Sequence, residues 1–290
     1  MPSTRTLSLT GLAMIAFAGN SILCRLALKA TSIDAVSFTG IRLFAGALML
    51  ALLLKVRRRA ASDGGNWRAA AALFVYAAAF SYAYVQLDAG TGALLLFGAV
   101  QVTMILVGLL RGEALRGQAL LGFLLALGGL LAQLLPSASA PPLAGALLML
   151  LSGVAWGLYS LLGRKGSDPL AITTGNFIRA IAFAGLLALV FHTDLRLDGM
   201  GVVYAVLSGA AASGIGYAIW YSALPGLSAI QGASVQLSVP ILAALSGAAL
   251  LGEAISLRLA LVSLAVLGGI ALILLAKVRP PSPNARNCFS

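Results

Sequence analysis

The chain has 290 residues, 60% of them apolar and only 9% charged, with a formal net charge of +11 and a mean hydropathy of +1.01. A soluble domain carries about 25% charged residues, so water cannot be the solvent over most of this surface and lipid must take its place. The basic residues sit in short clusters between apolar runs rather than on one solvated face, which argues against a nucleic-acid partner.

Crossing the hydrocarbon core takes about 20 mostly apolar residues per helix. Read for such runs and for the Gly, Pro and charge breaks between them, the sequence predicts spans at about 7–29, 35–55, 67–87, 91–110, 117–135, 142–163, 170–191, 200–223, 228–250 and 257–277. The first run mimics a secretory signal, with Arg5 ahead of it and Ala16-Phe17-Ala18 before Gly19. Its apolar character continues to Leu28, however, and it is read as a span. Connections are short, and the tail 280–290, rich in proline, reads as a disordered cytoplasmic segment. Gly153/Gly157 and Ala212/Gly216 have the small-residue spacing that lets membrane helices cross closely.

The fold class expected is therefore an all-α membrane protein of ten transmembrane helices. Of the 19 Lys and Arg residues, Arg42 and Arg179 fall inside spans and Arg25, Lys29, Arg196 and Arg258 fall on one side of the membrane. The other thirteen share the opposite side with the N-terminus. By the positive-inside rule that side is cytoplasmic, and both termini face it. The setting is a bacterial-type inner membrane, with the lipid bilayer and a small-molecule substrate as the expected partners and no obligatory protein partner.

An internal repeat gives this topology a mechanical meaning. Gly112-Glu113-Ala114 returns 140 positions later as Gly252-Glu253-Ala254, and the same shift carries Gly128-Gly129 onto Gly268-Gly269 and Ala89, Gly92, Ala93 onto Ala229, Gly232, Ala233. The chain divides into a first repeat over 1–138 and a second over 139–279. Because each copy holds an odd number of spans, the second enters the membrane from the opposite side. Two inverted five-helix repeats enclose a site near the midplane and permit alternating access.

The residues that carry the repeat also carry a resemblance. The two Gly-Glu junctions, each followed by a helix with a Gly-Gly pair, together with Arg42 in the second span, Arg179 in the seventh and Pro240 in the ninth, resemble the drug/metabolite transporter superfamily and its EamA-type ten-helix members. The likeness runs from about Thr10 to Lys277. Within the family the chain looks most like the inner-membrane amino-acid exporters of the YddG kind, which favour aromatic substrates. The resemblance implies a transporter and not an enzyme. One departure is that Val100 stands in the first copy where Pro240 stands in the second.

The candidate binding residues are polar and aromatic side chains within spans. Asn20 lies in the first, Tyr76, Phe80 and Tyr82 in the third, Gln101 in the fourth, Trp156 and Tyr159 in the sixth, Tyr217 and Trp220 in the eighth and Gln236 in the ninth. Amides and rings of this kind suit a zwitterion and an aromatic side chain. By position Asn20, Tyr82 and Trp156 are deepest, whereas Tyr84, Tyr204 and Tyr221 are near enough to span ends to form an interfacial belt. Arg42, Glu113, Arg179, Pro240 and Glu253 form a gating or structural set. Glu113 and Glu253 read as helix-end carboxylates, each favouring the positive end of the helix that follows its glycine. Arg42 is within reach of Asp34 at the same span end, and Arg179 has Asn176 one turn earlier; binding of a substrate carboxylate is the sharper alternative for both.

All eight carboxylates map to loops or span ends, so no proton carrier is expected at the midplane and facilitated diffusion is favoured over proton coupling. Cys24 and Cys288 are too far apart in sequence to suggest a disulfide framework, and with a single histidine, His192, no metal site or other cofactor is expected. A multidrug or sugar-derivative carrier on the same scaffold, possibly proton-coupled, is the nearest rival. An intramembrane enzyme or a channel would be a different class, and the sequence offers no convergent nucleophile, acid pair or phosphate loop for the former. Reporter fusions at residues 1 and 290 are expected to be active on the same, cytoplasmic face; reporters on opposite faces would contradict an even number of crossings.

Overall fold

The computed structural model describes residues 3–57, 64–110, 117–136, 140–162, 168–223, 226–227 and 235–275. Glu113 and the repeat landmarks 111–116 and 228–234 lie outside them. Among the described residues the regular structure is helical throughout: α1 (Thr4–Ala30), α2 (Ala35–Val56), α3 (Trp67–Gln86), α4 (Ala89–Leu110), α5 (Gln118–Leu134), α6 (Leu143–Leu162), α7 (Pro169–Val190), α8 (Gly199–Ala223), α9 (Ser238–Leu251) and α10 (Leu257–Leu275). Seven of these, α1–α4 and α6–α8, are long and apolar enough to cross a membrane. Three further apolar stretches are shorter: α5, α9 and the Leu257–Ile273 part of α10.

Helix ends fall where short polar side chains replace the missing backbone partners. The Asp34 carboxylate accepts from the N–H groups of Val36 and Ser37, Asn66 caps α3 through the Ala69 N–H, and Asp168 and Asp198 do the same for α7 and α8. Gly252 ends α9 at a φ of 66°, a left-handed conformation that glycine adopts without a Cβ clash. Pro240 accounts for the break just ahead of α9. It has no N–H and its ring crowds the carbonyl four residues back, and the helical turn at residues 235–236 breaks at Leu237 before the helix resumes.

Large apolar side chains stay exposed on the outside, among them Leu48, Leu121, Leu189 and Leu264, each more than 60% accessible. A soluble monomer would not leave so many uncovered, and a lipid-facing bundle must. Inside, α5 packs on α10, α6 on α3 and α4, α2 on α7 and α8, and α1 on α8 and α9.

Glycine sets the closeness of several of these contacts. A Cβ on Gly153 would come within 2.6 Å of the Leu96 carbonyl oxygen and of the Ala99 Cβ, and one on Gly157 within 3.1 Å of Thr103, so this pair fits α6 against α4 as its spacing predicts. The Gly216 face meets Ala16 of α1. Gly129 and Gly269 lie in the α5–α10 seam, while Gly128 and Gly268 face open space.

The middle of α8, Leu207–Ile215, is a π-helix, whose wider turn is rare and marks functional segments. Gly209 within it presses on the backbone of Arg42 in α2, and a Cβ there would stand 3.0 Å from the Arg42 Cα and closer still to its carbonyl. Gly209→Val should therefore destabilise the fold by about 1–3 kcal/mol through overpacking, measured by unfolding in SDS, whereas Gly128→Val, in open space, should stay near the parent.

Candidate functional site

At the centre of the bundle aromatic rings from α1, α3, α6, α7 and α8 form one continuous cluster. Trp156 of α6 lies 4.7 Å from Tyr76 of α3, 5.4 Å from Tyr159 and 5.4 Å from Tyr217 of α8, stacked on the last at 24°. Tyr76 continues to Phe80 at 5.5 Å, and Tyr217 to Phe17 of α1 at 5.8 Å and Phe177 of α7 at 6.1 Å. Phe17 then reaches Trp220 at 6.1 Å. Trp156 and Trp220 are only half-buried, so part of each residue stays accessible.

Six of the sequence candidates, Tyr76, Phe80, Trp156, Tyr159, Tyr217 and Trp220, thus meet in one place. Asn20 is also buried, and its Oδ1 accepts from the Ser208 hydroxyl at 2.6 Å, tying α1 to the π segment of α8. Tyr82 departs from expectation. It is half-buried and stands toward Asp34 and Asp194 at a bundle end, because it lies two residues along α3 from Phe80 and so on another face. Gln101 is buried on α4 without a side-chain hydrogen bond among the described residues, and Gln236 is half-buried in the turn ahead of α9. Tyr84, read as a belt residue, is instead fully buried: its ring fills the space beside Gly92 and its hydroxyl donates to the Ala89 carbonyl.

Arg42 is 2% exposed and does not pair with Asp34. Asp34 sits about two helical turns away and is engaged by the Val36, Ser37 and Arg196 N–H groups. Partial burial pushes the Asp34 carboxyl up, and these bonds with Arg196, Ser37 and Val36 more than offset it, holding the group below the ordinary carboxylate value. The Arg42 guanidinium turns to the ring cluster. Its Nη2 donates to the Tyr76 hydroxyl at 3.0 Å, and its carbon lies 4.8 Å from the Phe80 centroid and 5.3 Å from that of Tyr76.

Arg179 is a positioning residue for the α2–α3 connection. Its Nη1 donates to the Gly64 carbonyl at 2.8 Å and to the Gly175 carbonyl at 3.0 Å. Asn176 does not pair with it but accepts from the Asn66 N–H at 2.9 Å and turns its amide toward the Tyr159 hydroxyl.

The two ends of the bundle differ. At one, Arg25 of α1 is 4% exposed and joins three segments: Nη2 to Asp88 at 3.0 Å, Nε to Glu253 at 3.0 Å, and Nη1 to the Tyr84 carbonyl at 2.9 Å. The Glu253 carboxylate also accepts from the Ala89 N–H at 2.7 Å. It therefore caps α4, across the bundle, and not the helix that follows it, whose first turn is capped by Ser256. Sequence reasoning counted Arg25 only among the charges on one side of the membrane. It lies within α1, and its only sequence signal is a basic residue on the same side as Asp88 and Glu253. At the other end a cavity of about 330 Å³ is lined by Arg57, Asp168, Pro169, Leu170, Ala218, Tyr221 and Ser222.

A lipid-faced helical bundle with an internal aromatic site, sealed by ion pairs at one end and hollowed at the other, is the build of a multi-pass membrane transporter. The EamA-like transporter family matches residues 5–134 and again residues 143–275. The chain belongs to that family. It is 77% identical over 275 residues to an uncharacterized protein of Pseudomonas aeruginosa, covering 94% of this chain and 96% of that one. It is 25% identical over 257 residues to an uncharacterized transporter of Archaeoglobus fulgidus, with 84% and 88% of the two chains covered. A protein of known crystal structure superposes with a TM-score of 0.67 at 20% identity, over 95% of this chain and 99% of that one, which is a likeness of fold.

Glu253→Ala would leave Arg25, whose side chain is 5% accessible, with only the half-exposed Asp88 as an acid partner. The expected loss is about 3 kcal/mol, read from SDS unfolding. Asp88→Ala, which keeps the Glu253 pair, should lose much less.

Proposed function

We propose that this transporter exports amino acids, aromatic and other neutral ones, together with related metabolites, across a bacterial-type inner membrane. It does so by alternating access of two inverted five-helix halves, with both termini in the cytoplasm, and works as a facilitator. The observation that carries the substrate class is Trp156, held between Tyr76 and Tyr217 and only half-buried, an aromatic platform suited to a flat apolar group. The hydroxyls of Tyr76 and Tyr159, with the Asn176 amide beside the latter, provide polar groups at the edges of the rings.

Two further observations support the two-half mechanism. The family matches the chain twice, once in each proposed half. The packing also interchanges when the halves are exchanged: α3 on α6 becomes α8 on α1, α4 on α6 becomes α9 on α1, and α2 on α8 becomes α7 on α3, while α5–α10, α2–α7 and α4–α9 map onto themselves. Each of these contacts is present. The cavity beside Arg57 and Tyr221 and the ion pairs around Arg25 then correspond to a form open toward the cytoplasm and closed on the other face. Facilitated diffusion is favoured because Asp88 and Glu253 are engaged by Arg25 at the closed end, away from the rings.

Counterflow in proteoliposomes tests the reading. Labelled phenylalanine should accumulate transiently only in vesicles preloaded with unlabelled amino acid. Uptake that stays linear in concentration would mark a channel, and accumulation driven by a pH gradient alone would overturn the facilitator. Trp156→Ala should lower the exchange rate at least about tenfold, the loss of one stacked ring in a site of this kind.

A further inference from the structure

Arg42 is a full positive charge in the middle of an apolar bundle, and the described structure gives it no carboxylate. Its Nη2 has the Tyr76 hydroxyl, but Nη1 is buried with no hydrogen-bond partner. The groups that face the guanidinium are the rings of Tyr76 and Phe80, with Cys24 of α1 and Tyr217 of α8 nearby, none of them an anion in its ordinary form. Ring faces return about 2 kcal/mol to a desolvated cation, against a desolvation cost of several kcal/mol for a buried ion. By contrast, the other buried arginine, Arg25, has two carboxylates and two carbonyls. The same chain satisfies one buried guanidinium fully and leaves the other short of an acceptor.

We infer that Arg42 is the anion-recognition residue of the central site, and that its unpaired nitrogen takes the carboxylate of the transported molecule. This rests on the transport reading above and adds to it the chemical class that the site selects, an aromatic monocarboxylate. Tyr76 gives the geometry. Its hydroxyl holds Nη2 while its ring lies 4.7 Å from Trp156, so one residue links the charge to the stacking platform. A substrate with a carboxylate at Arg42 carries its ring toward Trp156 and Tyr217. A guanidinium suits this because its planar fork presents two parallel donors to the two oxygens of a carboxylate. Along α8, Gly209 of the π segment lies on the Arg42 backbone, and two turns on Tyr217 joins the ring cluster.

The test is binding to the full chain in detergent, followed by tryptophan fluorescence, with 3-phenylpropanoate and its uncharged isostere 3-phenylpropanamide as probes. The acid should bind the parent protein at least about ten times more tightly than the amide, the value of one desolvated charge-assisted contact. Arg42→Gln should remove that preference and Arg42→Lys should keep part of it. Equal binding of acid and amide, an acid preference that survives Arg42→Gln, or no binding of either probe would overturn the inference. Should Arg42→Gln fail to fold, Tyr76→Phe keeps the guanidinium and removes only the hydroxyl that aims it. Acid affinity should then fall about threefold with amide affinity unchanged, and parallel losses for both probes would count against the assignment. Phenylalanine counterflow is scored separately. Acid preference without counterflow would sink the transport reading and leave the anion site standing, and counterflow without acid preference would do the reverse.

Discussion

The hydrocarbon around a membrane bundle offers no water, so each polar group buried away from a cavity must find its partner within the protein or from a passing ligand. That constraint organises this molecule. Asn20 and Ser208 satisfy one another across α1 and α8, and the Thr39 hydroxyl donates to Ser81 across α2 and α3. Asn176 and Arg179 on α7 take up the backbone groups of the connection that precedes α3. Arg25 gathers Asp88, Glu253 and two carbonyls, so a single side chain closes one end of the bundle. Arg42 is where the rule is met only in part, and it lies against the rings.

The same constraint separates what is rigid from what can move. Contacts made by backbone against backbone, such as Gly153 on Leu96 and the glycines of the α5–α10 seam, have little room to shift without losing dispersion energy. The central cluster is held by stacked, tilted and edge-on ring contacts at 4.7 to 6.1 Å. Between them runs α8, whose π segment carries Gly209 against α2 and Tyr217 into the rings.

Charge distribution gives the molecule a direction. The closed end uses short pairs among Arg25, Asp88 and Glu253, along with Asp34 bonded to the Arg196 backbone. The cavity end has Arg57 and Asp168 on its walls. Opening the closed end means separating a buried Arg25–Glu253 pair, which costs several kcal/mol unless something replaces it. In the alternating-access mechanism proposed above, binding energy from a substrate at the rings supplies that replacement.

Much of this was legible in the residues. Apolar runs located most helices to within a few positions, since a run of about 20 apolar residues crosses lipid as a helix; the ninth, expected from 228 and described from Ser238, is the exception. The ring cluster was legible as well, because Tyr76, Phe80, Trp156, Tyr217 and Trp220 are polar or aromatic residues at depths where Leu would otherwise stand. Partners were a different matter. Glu253 read as the cap of its own following helix and proved to cap α4, Arg25 read only as a charge on one side of the membrane and proved to be buried, and Arg42 read as reaching Asp34 and turned to Tyr76. By itself the sequence determined that this chain lives in lipid, as helices, with rings at its centre, because composition and periodicity are local properties set by the solvent. Only the tertiary structure decided which charge meets which, and which is left without an acid, because those pairings join residues as much as 228 positions apart whose approach depends on how whole helices cross.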